Sequence, residues 1–217
     1  MAEIAEVSGA DAVALAEAIG YDERIGNKFL RNGIGFGGGC LPKDIRAFMA
    51  RAEELGVGKA VDFLDDVDQI NLRRRARVVD LLKRELGASI SGKRVLVLGA
   101  AFKPDSDDLR DSPSIAVAKL IQAEGATVVI HDPISLDHVR ATQPEMIAEQ
   151  DLIKAATGVD AIVLATEWSH YREGHVPADL APVVGNKLII DGRNALKVDK
   201  WQKAGFRLIA LGRNVEA

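Results

Sequence analysis

Between Arg94 and Gly212 five short apolar runs alternate with helical stretches, and that rhythm leaves few folds open. RVLVLG (94–99), TVVIHD (127–132), AIVLAT (161–166), KLIIDG (187–192) and RLIALG (207–212) are apolar on successive residues. Strands buried on both faces require this. Between the first two runs, Ser112 is placed to cap a helix, Pro113 sits in its first turn and Gly125 stops it. Strands separated by helices form a parallel sheet with right-handed crossovers, so residues 91–217 are expected to be an open, Rossmann-like α/β domain.

Residues 1–90 carry no such rhythm and are expected to form a separate helical region. Ile4, Val7, Val13, Leu15 and Ile19 fall on helical faces, interrupted at Gly9 and Ala10, and Asp11 is placed to cap a second helix. The stretch from Tyr21 to Asp44 is too rich in glycine for a regular element. Ile45, Phe48, Met49, Ala52 and Leu55 then mark an amphipathic helix ending at Gly56. Helical spacing continues from Lys59 to Leu86, which predicts a helix on the order of 40 Å long. It contains Arg73, Arg74, Arg75 and Arg77, with Asp65, Asp66 and Asp68 nearby. In this acidic setting the arginines read as a solvated or partner-facing surface.

Composition removes several classes of function. Asp and Glu outnumber Lys and Arg by 32 to 28, so no general attraction to nucleic acid or to an anionic membrane is expected. No apolar run approaches the roughly 18 residues of a membrane span, and the first residues lack the pattern of a signal peptide. A single cysteine excludes an intrachain disulfide framework and fits a reducing cytoplasmic setting. The four histidines, His131, His138, His170 and His175, lack metal-ligand spacing and read as structural; no metal is expected. Trp168 and Trp201 read as packing residues.

The chemistry concentrates in GFGGGCLPKD. Pro42 suits the first turn of the following helix, which puts Cys40 at a helix N-terminus, where the helix dipole and Lys43 favour a thiolate. The glycines would let a ligand approach the backbone closely and would expose N–H groups to it. A second candidate is GAAFKPDSDDLRDSPS, at the C-terminal end of the first strand, where Lys103 and Arg110 could meet phosphates. The Gly-x-Gly-x-x-Gly fingerprint of a dinucleotide site is absent there, and an acidic surface loop with two incidental cations is an equal reading. Arg193 in DGRNAL, after the fourth run, is a weaker third signal.

Taken in order, RIGNKFL, GFGGGCLPKD, VLVLGAAFKPDSDDLRDSPS and DGRNAL closely resemble the UDP-glucose/GDP-mannose dehydrogenase family, over essentially the whole chain from Glu3. The resemblance implies an NAD-dependent, four-electron oxidation of UDP-glucose to UDP-glucuronate. Cys40 would form a thiohemiacetal and then a thioester, with Asp44 near the hydrolytic water. It places Phe29, Arg31, Gly37, Phe102, Lys103 and Arg193 on the nucleotide sugar, Arg31 standing where lysine occurs elsewhere in the family. Lys43 and Arg110 are placed near the NAD phosphates. Arg24 is expected to reach the site of a neighbouring subunit in a homodimer built on the 59–86 helix; a surface ion pair with Asp22 or Glu23 is the competing reading. The family's NAD-binding domain is not recognisable here, so the chain is expected to be a portion of a larger enzyme and inactive by itself. GDP-mannose 6-dehydrogenase and a non-catalytic nucleotide-sugar binding module are the alternatives.

Overall fold

A computed structural model describes residues 1–174 and 176–214; His175 lies outside the described residues. The chain opens with α1 (Ala2–Ser8) and α2 (Ala12–Gly20), and the Asp11 side chain caps α2 by accepting from the Val13 and Ala14 amides. A long loop leads to α3 (Leu41–Glu54), which begins immediately after Cys40 with Pro42 in its first turn.

The predicted long helix is present with a later start. Residues Gly58–Ala60 form a tight 3-10 turn, and the α-helix, α4, runs from Phe63 to Leu86, about 36 Å at 1.5 Å per residue. It closes at Gly87, whose φ of 99° gives the left-handed cap. Its two halves have different surroundings. Phe63, Ile70 and Leu72 of the first half are exposed, whereas Val78, Val79, Leu81 and Leu82 of the second are buried.

The arginines of α4 correct the surface reading. Arg73 remains on the surface, 3.7 Å from Glu3, but Arg74 and Arg75 are buried. Arg74 bonds Glu6 of α1 at 2.7 Å, Arg77 bonds the other oxygen of Glu6 at 2.8 Å, and Arg75 bonds Asp111 at 3.1 Å. Partners so distant in sequence leave no trace in local charge pattern.

The sheet has six parallel strands in the order β3-β2-β1-β4-β5-β6: β1 Arg94–Leu98, β2 Thr127–His131, β3 Ile147–Ala148, β4 Ala161–Leu164, β5 Leu188–Asp191 and β6 Arg207–Ala210. Five match the predicted runs. The sixth, β3, is a two-residue edge strand beside β2 with no apolar run to announce it. The order reverses between β1 and β4, which creates the crevice where open α/β sheets take their ligands.

Alternate residues of each strand serve opposite layers. Val95, Val97, Val128, Ile130, Val163 and Ile190 face α4 and α5 (Pro113–Ala123), together with α6 (Leu136–Thr142). Leu96, Leu98, Val129, Ile162, Leu164 and Ile189 face the other layer. That layer consists of α7 (Leu152–Ala156), α8 (Ser169–Glu173), α9 (Val176–Leu180) and α10 (Val198–Lys203). Burial on both sides explains the continuous apolar runs. The second half of α4 thus shares a core with the sheet, and α2 docks beyond β6, its Ala12 amide bonding the Gly212 carbonyl at 2.9 Å.

Candidate active site

The loop before α3 is held against three parts of the chain. At its start, the Ile34 amide bonds the Gly192 carbonyl beyond β5 at 2.9 Å. Next, the buried Asn71 of α4 accepts from the Phe36 amide at 2.8 Å and donates to the Phe36 carbonyl at 2.9 Å. Arg75 donates to the same carbonyl at 3.0 Å. Farther on, the Gly38 amide bonds the Asp111 carbonyl at 3.3 Å.

This packing, ahead of the ligand approach expected from the sequence, is the reason for the glycines. A Cβ on Gly37 would collide with the Asp111 carbonyl and with Pro113, and Gly38, at a φ of 98°, lies under the Phe102 ring. The glycines are needed first by the chain itself.

Cys40 is exposed and is the N-cap residue of α3. It opens into a cleft of about 580 Å³, which also receives Phe29, Arg31, Gly37, Phe102, Lys103, Arg110 and Arg193. Eight of the eleven residues singled out in the sequence therefore meet in one place. The cleft lies beyond the carboxyl ends of β1, which supplies Phe102 and Lys103, and of β5, which supplies Arg193.

Arg193 anchors the cleft floor. Its side chain is only 14% exposed, donates to the Ala165 carbonyl at 2.7 Å and the Gly35 carbonyl at 2.8 Å, and lies 3.5 Å from Glu167. Burial lowers its pKa from the ordinary arginine value, partly opposed by the charge of Glu167. One of its terminal nitrogens and an oxygen of Glu167 have no hydrogen-bond partner among the described residues. Unsatisfied buried groups lining a cleft suit a polar ligand. Arg110, by contrast, is exposed and paired with Asp108 at 2.8 Å; that hydrogen bond raises its pKa, with a smaller contribution from Cys40 nearby. Lys103 extends over the Phe102 ring, its nitrogen 5.4 Å from the centroid.

Three singled-out residues lie outside the lining. Lys43 and Asp44 occupy the first turn of α3, largely exposed and 3.6 Å apart. Arg24 is 88% exposed and bonds Asp22 at 2.6 Å, the arrangement of a surface ion pair. Lys28, Phe36, Asp108 and Glu167 also line the cleft, although nothing in the sequence analysis singles them out. Glu167 was within reach of the argument, since it follows β4 at the switch point of the sheet.

The sheet's first turn is not built for a dinucleotide. In such folds a carboxylate after the second strand binds ribose, but the buried Asp132, after β2, accepts from the amides of Ala100, Ala101, Ile134 and Ser135 and from the Trp168 indole. Trp168 is thus a hydrogen-bonding residue as well as a packing one, while Trp201 packs edge-on against Phe206. His131 is buried, bonded to Tyr171 and Gln150, and burial, then the neighbouring His170, lowers its pKa. His138 is bonded to the Asp107 carbonyl. Among the described residues no cluster of His, Cys, Asp or Glu could hold a metal ion, and no helix is long and apolar enough to cross a membrane.

Comparison with known proteins agrees with this geometry. Residues 1–73 match the UDP-glucose/GDP-mannose dehydrogenase family, central domain, and residues 96–198 match the UDP binding domain of the same family. UDP-glucose 6-dehydrogenase YwqF of Bacillus subtilis (strain 168) is 35% identical over 214 residues, 98% of this chain and 48% of its own length. A UDP-glucose dehydrogenase structure from Pyrobaculum islandicum aligns with a TM-score of 0.79 at 32% identity, covering 95% of this chain and 44% of that one. The UDP-D-ManNAc dehydrogenase structure of Pyrococcus horikoshii aligns at 0.74 and 26% identity, covering 98% and 46%. The chain spans about half the length of the curated relatives it matches. With two domain matches in the family's order and a cleft formed where they meet, the chain belongs to the UDP-glucose/GDP-mannose dehydrogenase family.

Proposed function

We propose that this chain is the sugar-nucleotide portion of an NAD-dependent enzyme that oxidises UDP-glucose to UDP-glucuronate, with Cys40 as its nucleophile. The observation carrying this reading is the placement of the Cys40 thiol in one cleft with Phe102, Lys103 and Arg193. Lys103 and Arg193 bind the diphosphate by charge-assisted hydrogen bonds, and Phe29 and Phe102 supply apolar contacts. Arg31 and the backbone at Gly37 complete the nucleotide-sugar contacts. Cys40 attacks the aldehyde carbon formed in the first oxidation, giving a thiohemiacetal. After the second oxidation the adduct is a thioester; water adds to its carbonyl with Asp44 nearby, releasing the carboxylate and the Cys40 thiolate. NAD, when bound, would supply the two-electron acceptor for both oxidations. The sheet does not fit that cofactor, because the amides of its first turn are already spent on Asp132. This chain's part is to meet the NAD phosphates with Lys43 and Arg110.

A homodimer through α4 belongs to the same proposal. Phe63, Ile70 and Leu72 leave apolar surface on the half of α4 that the sheet does not cover, and a two-fold partner offers a matching surface. In that dimer Arg24 exchanges Asp22 for the neighbouring subunit's ligand.

The deciding experiment is a parallel titration with UDP-glucose and GDP-mannose. UDP-glucose binding is expected, and Lys103→Ala should weaken it at least about tenfold, as loss of a charge-assisted contact implies. Preference for GDP-mannose would select the other branch of the family. In the enzyme assembled with its NAD-binding part, Cys40→Ala should bind substrate yet form no carboxylate; normal turnover would show that Cys40 is not the nucleophile.

A further inference from the structure

Asp111 has the position of a joint between the two halves of the cleft, although none of its atoms lines it. It follows Arg110, a lining residue, and precedes Ser112, which caps α5 and donates through its hydroxyl to the Ala100 carbonyl at 2.6 Å. Its backbone adopts a φ of 45°, in the left-handed region that costs a non-glycine residue energy. In that conformation its carbonyl meets the Gly38 amide at 3.3 Å, two residues before Cys40.

The carboxylate joins two helices. One oxygen accepts from Arg75 of α4 at 3.1 Å, and the other lies 3.4 Å from Arg46 of α3, the helix that Cys40 begins. Arg46 is also bidentate on Asp68 of α4, at 2.9 and 3.0 Å. Arg75 is also bonded to the Phe36 carbonyl. From the β1–α5 loop, Asp111 thus reaches the thiol loop by its carbonyl and both helices by its carboxylate.

We propose that Asp111 is a positioning residue for Cys40, holding the thiol loop in register with the nucleotide-binding loop that carries Phe102, Lys103 and Arg110. The proposal rests on the nucleophilic role of Cys40 for its consequence in turnover, but not for its structural content. A left-handed backbone alone would be served as well by glycine, which adopts this conformation at lower cost and keeps the carbonyl. The aspartate adds only the charged bridge to Arg46 and Arg75.

The test uses Asp111→Gly and Asp111→Asn, which both tolerate the backbone, with two readouts. Amide hydrogen exchange at Gly38 should accelerate at least about tenfold in Asp111→Gly, the scale of one lost charge-assisted bond, while β1 and β2 amides keep their protection. Asp111→Asn, which retains an acceptor for Arg75, should fall between glycine and wild type. In the assembled enzyme kcat should fall in the same order, with KM for UDP-glucose changed less than about twofold, because Asp111 does not touch the ligand. Gly38 exchange within about twofold of wild type in Asp111→Gly would overturn the proposal, since the backbone alone would then hold the loop. If loss of the buried Arg75 partner unfolds the chain, Arg46→Gln cuts the bridge on its half-exposed side and must produce the same local acceleration. Should Cys40→Ala leave turnover intact, the proposed function fails while Gly38 exchange still decides the role of Asp111.

Discussion

Leu96, Ile162 and Ile189 lie in the sheet with no solvent contact, packed into an apolar cluster. Phe36, four residues before Cys40, is held instead by three hydrogen bonds: its amide donates to Asn71, and its carbonyl accepts from Asn71 and Arg75. The sheet is stabilised by burial, which is non-directional and tolerates repacking; the thiol loop is stabilised by directional bonds to particular partners. The loop therefore gains precision of placement, and a single substitution can displace it without melting the domain. Stability and geometry at the thiol should respond to different residues.

The largest stability loss is expected on the apolar side. Leu82→Ala, at a position with no exposure on α4, should cost about 2–5 kcal/mol by removing packed methyl groups and leaving a cavity. Denaturant unfolding measures it, and iodoacetamide labelling of Cys40 under native conditions should keep its rate. A changed rate would mean that core packing also sets the loop, breaking the distinction.

The helix-to-helix ion cluster comes next and carries a pH signature. Burial pushes the Glu6 carboxyl up, but the hydrogen bonds and charges of Arg74 and Arg77 outweigh it and hold its pKa below the ordinary 4.5. A depressed acid contributes stability above its unfolded pKa and loses it as pH falls through the lower folded value. Glu6→Gln should cost about 1.5–3 kcal/mol at pH 7 and progressively less below about pH 4.5, as read from chemical denaturation at several pH values. A loss independent of pH would remove the charge from the explanation.

Asn71→Ala should have a similar or smaller effect on global stability, about 1–3 kcal/mol for unsatisfied groups at Phe36, yet the greatest effect on the loop. Limited proteolysis should cut between Gly33 and Gly39 in this variant and not in Leu82→Ala. Equal protection in both would show that Arg75 suffices to hold Phe36.

The same contrast explains what could be read without a structure. Burial writes itself locally, so five strands, the caps Asp11 and Ser112 and the helix start after Cys40 were legible from periodicity and turn residues. The edge strand Ile147–Ala148 was too short to register, and the 3-10 turn at Gly58–Ala60 has the apolar spacing of the helix it precedes. Residues converging on the cleft were legible where they belong to compact motifs. Arg75, Asn71 and Asp111 were not, because their partners lie at least 35 residues away, 65 for Asp111 and Arg46, and their meaning exists only after folding. Glycine posed a subtler difficulty: GFGGG reads equally well as room for a ligand or room for a neighbour. Here Asp111, Pro113 and Phe102 are the neighbours.

The Asp132 carboxylate bears on redesign. Conversion of this sheet into a dinucleotide binder cannot be achieved by writing glycines into residues 99–104, because the Ala100 and Ala101 amides that would face a pyrophosphate already satisfy a buried negative charge. An incoming phosphate would have to displace that carboxylate, and so release the turn after β2 and the Trp168 indole that share it. Any such graft must replace Asp132 and supply new anchors for both turns at once, which makes the specialisation of this sheet a property of three loops rather than of one motif.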